Sequence, residues 1–312
     1  MGGQILVPTD FTAHSLNAMP YALELARLRS SQVLLAHFAR LADLPEAVET
    51  GRMTIRKHLS DSPLDIVVEA DEPGPGIIRV AEQEGCDLIV MASAATPLSR
   101  MLMGSTAEWV MRHAACPVMV VRHPLSRYAV EENTIGRGVE LRRILVPIDF
   151  SPVSVAAVPY AVELARQAGA RLELVHALGE SALLNRGCDD LTDHAELLEL
   201  RRQLREIGTC CEGIEWTEKV VAGPAAHAIS RIASQDSVDL IVMTTHGRSG
   251  LARLALGSTA ETVLRRAPCP VLTLRVPTVS DRVFELLGAA EASAAPWVGI
   301  MAMLAAVPPV LE

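Results

Sequence analysis

Most of this chain is written twice, and the duplication limits what it can fold into. The phrase "ILVPTDFTAHSLNAMPYALELAR" (Ile5 to Arg27) returns as "ILVPIDFSPVSVAAVPYAVELAR" (Ile144 to Arg166), which sets Asp10 and Asp149 139 positions apart. "CDLIVM" (Cys86 to Met91) returns as "VDLIVM" (Val238 to Met243), which sets Asp87 and Asp239 152 apart. The second copy therefore carries 13 extra residues between these landmarks, and we place them within Ser181 to Gly213. Solenoid repeats are far shorter, so copies of this size are duplicated globular units. The 312 residues suffice for two such cores.

Each copy alternates strand and helix. In the second, the apolar spacing predicts strands at Arg143–Pro147, Arg171–His176, Thr217–Val221, Asp239–Thr244 and Val271–Arg275. Helices are predicted between them at Val153–Gly169 (stopped by Gly169), Ala195–Ile207, Ala225–Ser234 and Ser258–Arg266. Such alternation with short connections specifies a parallel sheet with helices on both faces. Half the residues are hydrophobic and only 3% are aromatic, so Ala, Val, Leu and Ile must fill the core, which suits buried parallel strands. The expected fold is α/β: two tandem Rossmann-like domains, each a five-stranded parallel sheet. We place them at 1–125 and 142–276, joined by a charged linker at 126–141 and followed by an apolar tail at 277–312.

Several function classes drop out. A formal charge of −9 argues against nucleic acid, which calls for a basic face. No basic segment leads an apolar run at the start, and the six cysteines have no disulfide-framework spacing, so a reduced cytoplasm is expected. Cys188, Asp189, Asp190, His194, Cys210 and Cys211 lack paired metal-ligand spacing, and no metal site is expected there. In the tail, Trp297 to Val307 is shorter than the ~20 residues needed to span hydrocarbon. Docking on protein, most simply in homo-oligomer formation, is expected over membrane contact.

The chemistry gathers in "MTTHGRSGLARLALGSTAETV" (Met243 to Val263). Gly247 permits a tight turn where a strand ends. Ser258 and Glu261 spell a capping box, which makes Ser258 the predicted N-cap of the next helix. A helix N-terminus offers N–H groups and partial positive charge to phosphate oxygens, and Gly257 keeps the approach free of a side chain. No Walker loop and no G-x-G-x-x-G fingerprint occurs.

These residues resemble the universal stress proteins, over Gln4 to Arg122 and again over Arg142 to Arg275. Nucleotide-binding members share G-x2-G-x9-G-[ST]; here Thr244 replaces the first glycine, and Gly247, Gly257 and Ser258 match the rest. The resemblance implies ATP with Mg2+ as ligand. Asp149, after Pro147 and Ile148, would face ribose and phosphates, its alternative role being an N-cap ahead of Pro152. Ala177 would offer backbone groups to adenine, and Ser258 and Thr259 would donate to phosphate.

The first copy keeps Pro8, Asp10, Gly104, Ser105 and a capping Glu108. It has Ala92 and Ala95 for the loop glycines and a shorter loop containing Pro97, so it is expected to bind weakly or not at all. The terminal strands "PVMVV" (Pro117 to Val121) and "PVLTL" (Pro270 to Leu274) would join the copies as an intramolecular pseudo-dimer. The function implied is an ATP-binding regulator of the stress response. The alternatives are an interaction scaffold that binds no nucleotide, or a slow ATPase whose phosphate corner lacks lysine and has only Asp149 and His246 as acid–base groups.

Overall fold

The computed structural model describes residues 3–58, 64–93, 104–122, 139–179, 194–245 and 256–275. Most of the linker, the loop residues Ala95, Pro97, His246, Gly247 and Gly250, Cys188 to Asp190, and the whole tail lie outside them. The described residues fall into two compact units.

The first copy runs β1 (Gln4–Pro8), α1 (Met19–Arg29), β2 (Gln32–Ala39), α2 (Leu44–His58), β3 (Leu64–Ala70), α3 (Pro73–Gln83), β4 (Cys86–Ser93), α4 (Ser105–His113) and β5 (Val118–Arg122). The second runs β6 (Arg143–Pro147), α5 (Pro152–Val155), α6 (Ala157–Ala168), β7 (Arg171–Leu178), α7 (His194–Gly208), β8 (Trp216–Ala222), α8 (Ala225–Gln235), β9 (Leu240–Thr244), α9 (Ser258–Arg266) and β10 (Val271–Leu274). In the first unit the strands lie β3-β2-β1-β4-β5 and all pair in parallel. In the second, β9-β6-β7-β8 do the same. One pairing breaks the parallel rule. Residues 268–273 belong to the first unit, where β10 runs antiparallel to β5 with Val271 opposite Val120 and Thr273 opposite Val118.

The central strands form where the sequence leaves no polar face. In β6, Ile144, Leu145 and Val146 are all fully buried, and in β1 so are Ile5, Leu6 and Val7. Each such side chain contributes about 1.5–3 kcal/mol on burial, so these central strands anchor each core. Gly169 ends α6 in the left-handed conformation at φ 63°, and its N–H donates back to the Ala165 carbonyl, as the glycine stop predicts.

The single helix expected over Val153–Gly169 is instead two. Pro159 has no N–H for the Val155 carbonyl and its ring crowds that carbonyl, so α5 stops at Val155 and α6 begins at Ala157. Pro20 has the same effect in the first copy, where a short 3-10 turn (Ser15–Ala18) precedes α1. Most of the 13 extra residues of the second copy fall between β7 and α7, where residues 179–193 stand in place of 40–43.

Candidate functional site

In each unit the chain fills strands outward from one centre, first to one side and then to the other. The reversal lies between β6 and β9, which pair through Ile144 with Leu240 and Leu145 with Ile241. Ligands of open α/β sheets collect outside the carboxyl ends of the strands at such a point.

The turn after β6 is held from within. Pro147 ends the strand and Ile148 is buried, its N–H donating to the Val175 carbonyl at 2.8 Å. Asp149 Oδ1 accepts the Ser151 N–H at 2.9 Å and the Ser151 hydroxyl at 2.5 Å. The Asp149 N–H donates to Ser154 Oγ at 3.2 Å. Asp149 is therefore not the N-cap of α5. Pro152 occupies the first turn and leaves Ser151 extended before it, so Ser151 caps the helix, its Oγ accepting the Ser154 N–H at 3.1 Å. The Asp149 carboxylate braces the turn instead.

Between Asp149 and Ser151, Phe150 stands at φ 61°. For a bulky aromatic residue this is a costly conformation that the surroundings must enforce. Its ring lies 4.5 Å, centroid to centroid, from that of His176 near the end of β7. His176 is buried, and its Nδ1 lies 2.7 Å from the Ile148 carbonyl oxygen. A carbonyl only accepts, so Nδ1 carries the proton. Ala177 follows, half-buried.

The second wall of the corner is built by β9 and α9. Thr244, the last residue of β9, is buried, where a β-branched side chain suits the strand. Beyond it the Thr245 N–H donates to the Leu274 carbonyl at 3.1 Å, and the Gly257 N–H donates to the Thr245 carbonyl at 2.8 Å. The chain thus leaves β9 and returns to the same spot, which sets the first turn of α9 at the end of that strand. Gly257, not Ser258, is the N-cap, with φ −60° and ψ 143° and no side-chain capping bond. Two competitors defeat the capping box: the Gly257–Thr245 bond fixes the boundary one residue early, and Glu261 pairs with Arg265 one turn on. Ser258 and Thr259 are exposed as a result. Glu108 behaves alike in the first copy, pairing with Arg112 while Gly104 takes the cap position.

The first unit repeats the turn. Asp10 Oδ1 accepts the Thr12 N–H at 3.0 Å and the Thr12 hydroxyl at 2.6 Å. Burial pushes the Asp10 carboxyl up, but the Ser15 and Thr12 hydroxyls and the Thr12 N–H outweigh it and hold the group below the usual range. Phe11 also stands at φ 61°, and His37 Nδ1 lies 2.7 Å from the Thr9 carbonyl oxygen. The matching strand end differs. Phe38 replaces Ala177, and its ring lies so close to Gly76 of α3 that a Cβ there would fall 2.5 Å from it.

The structure thus describes Pro147, Ile148, Asp149, Ala177, Gly257, Ser258 and Thr259 at strand ends and the α9 start, while Gly247 lies outside the described residues. Phe150, Ser151 and His176 escaped the sequence reading. Their signal was the duplication itself, since both histidines stand 28 residues beyond the carbonyl they meet.

The sequence profile of the universal stress protein family matches residues 1–122 and 140–275. The chain belongs to that family. A universal stress protein of Methanocaldococcus jannaschii is 30% identical over 157 residues, 48% of this chain and 92% of the relative. One from Mycobacterium bovis is 26% identical over 211 residues, 65% of this chain and 66% of the relative. Two solved structures share the fold at 21% identity. A universal stress protein from Archaeoglobus fulgidus has a TM-score of 0.60, covering 88% of this chain and 97% of its own. A Pseudomonas aeruginosa protein of unknown function reaches 0.65, covering 91% and 96%. In this universal stress protein no described helix is long and apolar enough to cross a membrane. Among the described residues no group of three or more His, Cys, Asp or Glu is placed to hold a metal ion.

Proposed function

We propose that the second unit binds an adenine nucleotide, ATP with Mg2+, and that its occupancy regulates a stress response in the cytoplasm. The observation that carries this is the Gly257 N–H to Thr245 carbonyl bond, which brings a helix start without a side chain at its cap to the sheet's switch point. The residues fit a phosphate chain. The first N–H groups of α9 have no carbonyl of their own helix to meet, and the Ser258 and Thr259 hydroxyls stand exposed beside them. In this reading Asp149, with Pro147 and Ile148, faces ribose and phosphates. The Ala177 backbone meets adenine, and Gly247 completes the phosphate loop. The corner offers N–H groups, hydroxyls and no lysine, which favours binding over turnover. Phe38 and the lost loop glycines leave the first unit as the weaker binder.

Mass spectrometry of ligand released from freshly purified protein tests the reading, followed by isothermal titration with Mg-ATP. Recovered ATP, or saturable binding at one site per chain, supports it. Protein that carries no nucleotide and takes up none overturns it.

A further inference from the structure

We propose that His176 is a positioning residue for the nucleotide corner: its Nδ1–H grips the Ile148 carbonyl and its ring backs Phe150, which fixes where the Asp149 carboxylate stands. The proposal rests on the nucleotide reading of this corner. Its basis is geometric. The turn residue next to Asp149 sits at φ 61°, a conformation that does not persist by itself for phenylalanine. Two contacts from one buried side chain flank it, the 2.7 Å bond to the carbonyl before Asp149 and the 4.5 Å ring contact just after it. The first unit rebuilds the same set with different neighbours, through Thr9, Phe11 and His37, at 2.7 Å and 4.7 Å. Thr9 and Ile148 share no side-chain chemistry, so in both units the histidine grips the backbone carbonyl and not a side chain.

The test uses the full chain and three variants. Asparagine can place its Nδ2–H where Nδ1 stands, whereas glutamine carries its amide too far out. His176→Gln is expected to weaken Mg-ATP binding about tenfold, His176→Asn to stay within about threefold of wild type, and His37→Gln to leave the affinity unchanged. Imidazole 15N spectra are expected to show the Nδ1–H tautomer at His176. Hydrogen exchange of the Ser151 amide, which bonds Asp149, is expected to quicken at least tenfold in His176→Gln and not in His176→Asn. An Nε2–H tautomer overturns the proposal, as does a glutamine variant that matches asparagine in both affinity and exchange. If wild type binds no nucleotide, the functional reading fails, and the tautomer and Ser151 exchange still decide whether His176 holds the turn.

Discussion

Gly257 sits at the N-cap with an extended backbone, and aspartate is among the best residues for that place. Gly257→Asp should therefore preserve or slightly raise thermal stability. It also puts a carboxylate where phosphate oxygens are proposed to lie, and repulsion with the loss of a charge-assisted contact should weaken Mg-ATP binding about a hundredfold or more. Isothermal titration reads the affinity, and equal binding by wild type and variant would remove the phosphate from this corner. The thiols sort themselves by surroundings in the same local way. Burial pushes Cys86 up to about 12 and Cys116 up to about 11. At Cys210 the interaction with the neighbouring Cys211 thiol outweighs burial and holds the group below its ordinary range. Iodoacetamide at pH 8, followed by peptide mapping, should label Cys210 well before Cys86 or Cys116. Equal rates at Cys86 and Cys210 would contradict that ordering.

At the scale of elements, the register of β6 against β9 depends on a carboxylate at the start of the second strand. Asp239 Oδ2 accepts the N–H groups of Arg142 at 2.9 Å and Arg143 at 3.0 Å. Asp239→Ala should cost roughly 2–3 kcal/mol, since it strips two backbone donors of a charged acceptor. Urea unfolding measures this, and an unchanged midpoint would show that water replaces the carboxylate at no cost. Strand positions such as Ile144–Val146 were legible in the sequence because wholly apolar runs flanked by turn residues have one place to go. Helix ends were legible where a single residue decides, as at Gly169. The α9 cap was misplaced by one residue because S-x-x-E spells a local bond, while Arg265 and the Thr245 carbonyl compete from outside that window. The left-handed Phe150 could not be seen, because the turn bonds around Asp149 and the ring contact with His176, 26 positions on, lie outside any local pattern. The candidate site was legible only as a set of strand ends and a helix start, and the contacts of His176 with the Ile148 carbonyl and Phe150 were not legible.

For the molecule as a whole, the pairing of β10 with β5 matters most. A fragment of residues 1–125 keeps every parallel strand of the first copy but lacks β10, and it leaves the apolar run Val118 to Val121 at an open edge. Light scattering should find this fragment associated, because such an edge recruits another strand, and its nucleotide affinity should fall well below that of the full chain. A monodisperse, tight-binding fragment would contradict both expectations. The same edge bears on how the protein is made. Thr273 donates its hydroxyl to the Val118 carbonyl across 155 positions of sequence. A ribosome adding about 5–20 residues per second needs roughly eight to thirty seconds to cover that distance. Throughout that interval the nascent first copy can be complete except for its last partner strand, with β5 open to chaperones and to sister chains on the same polysome.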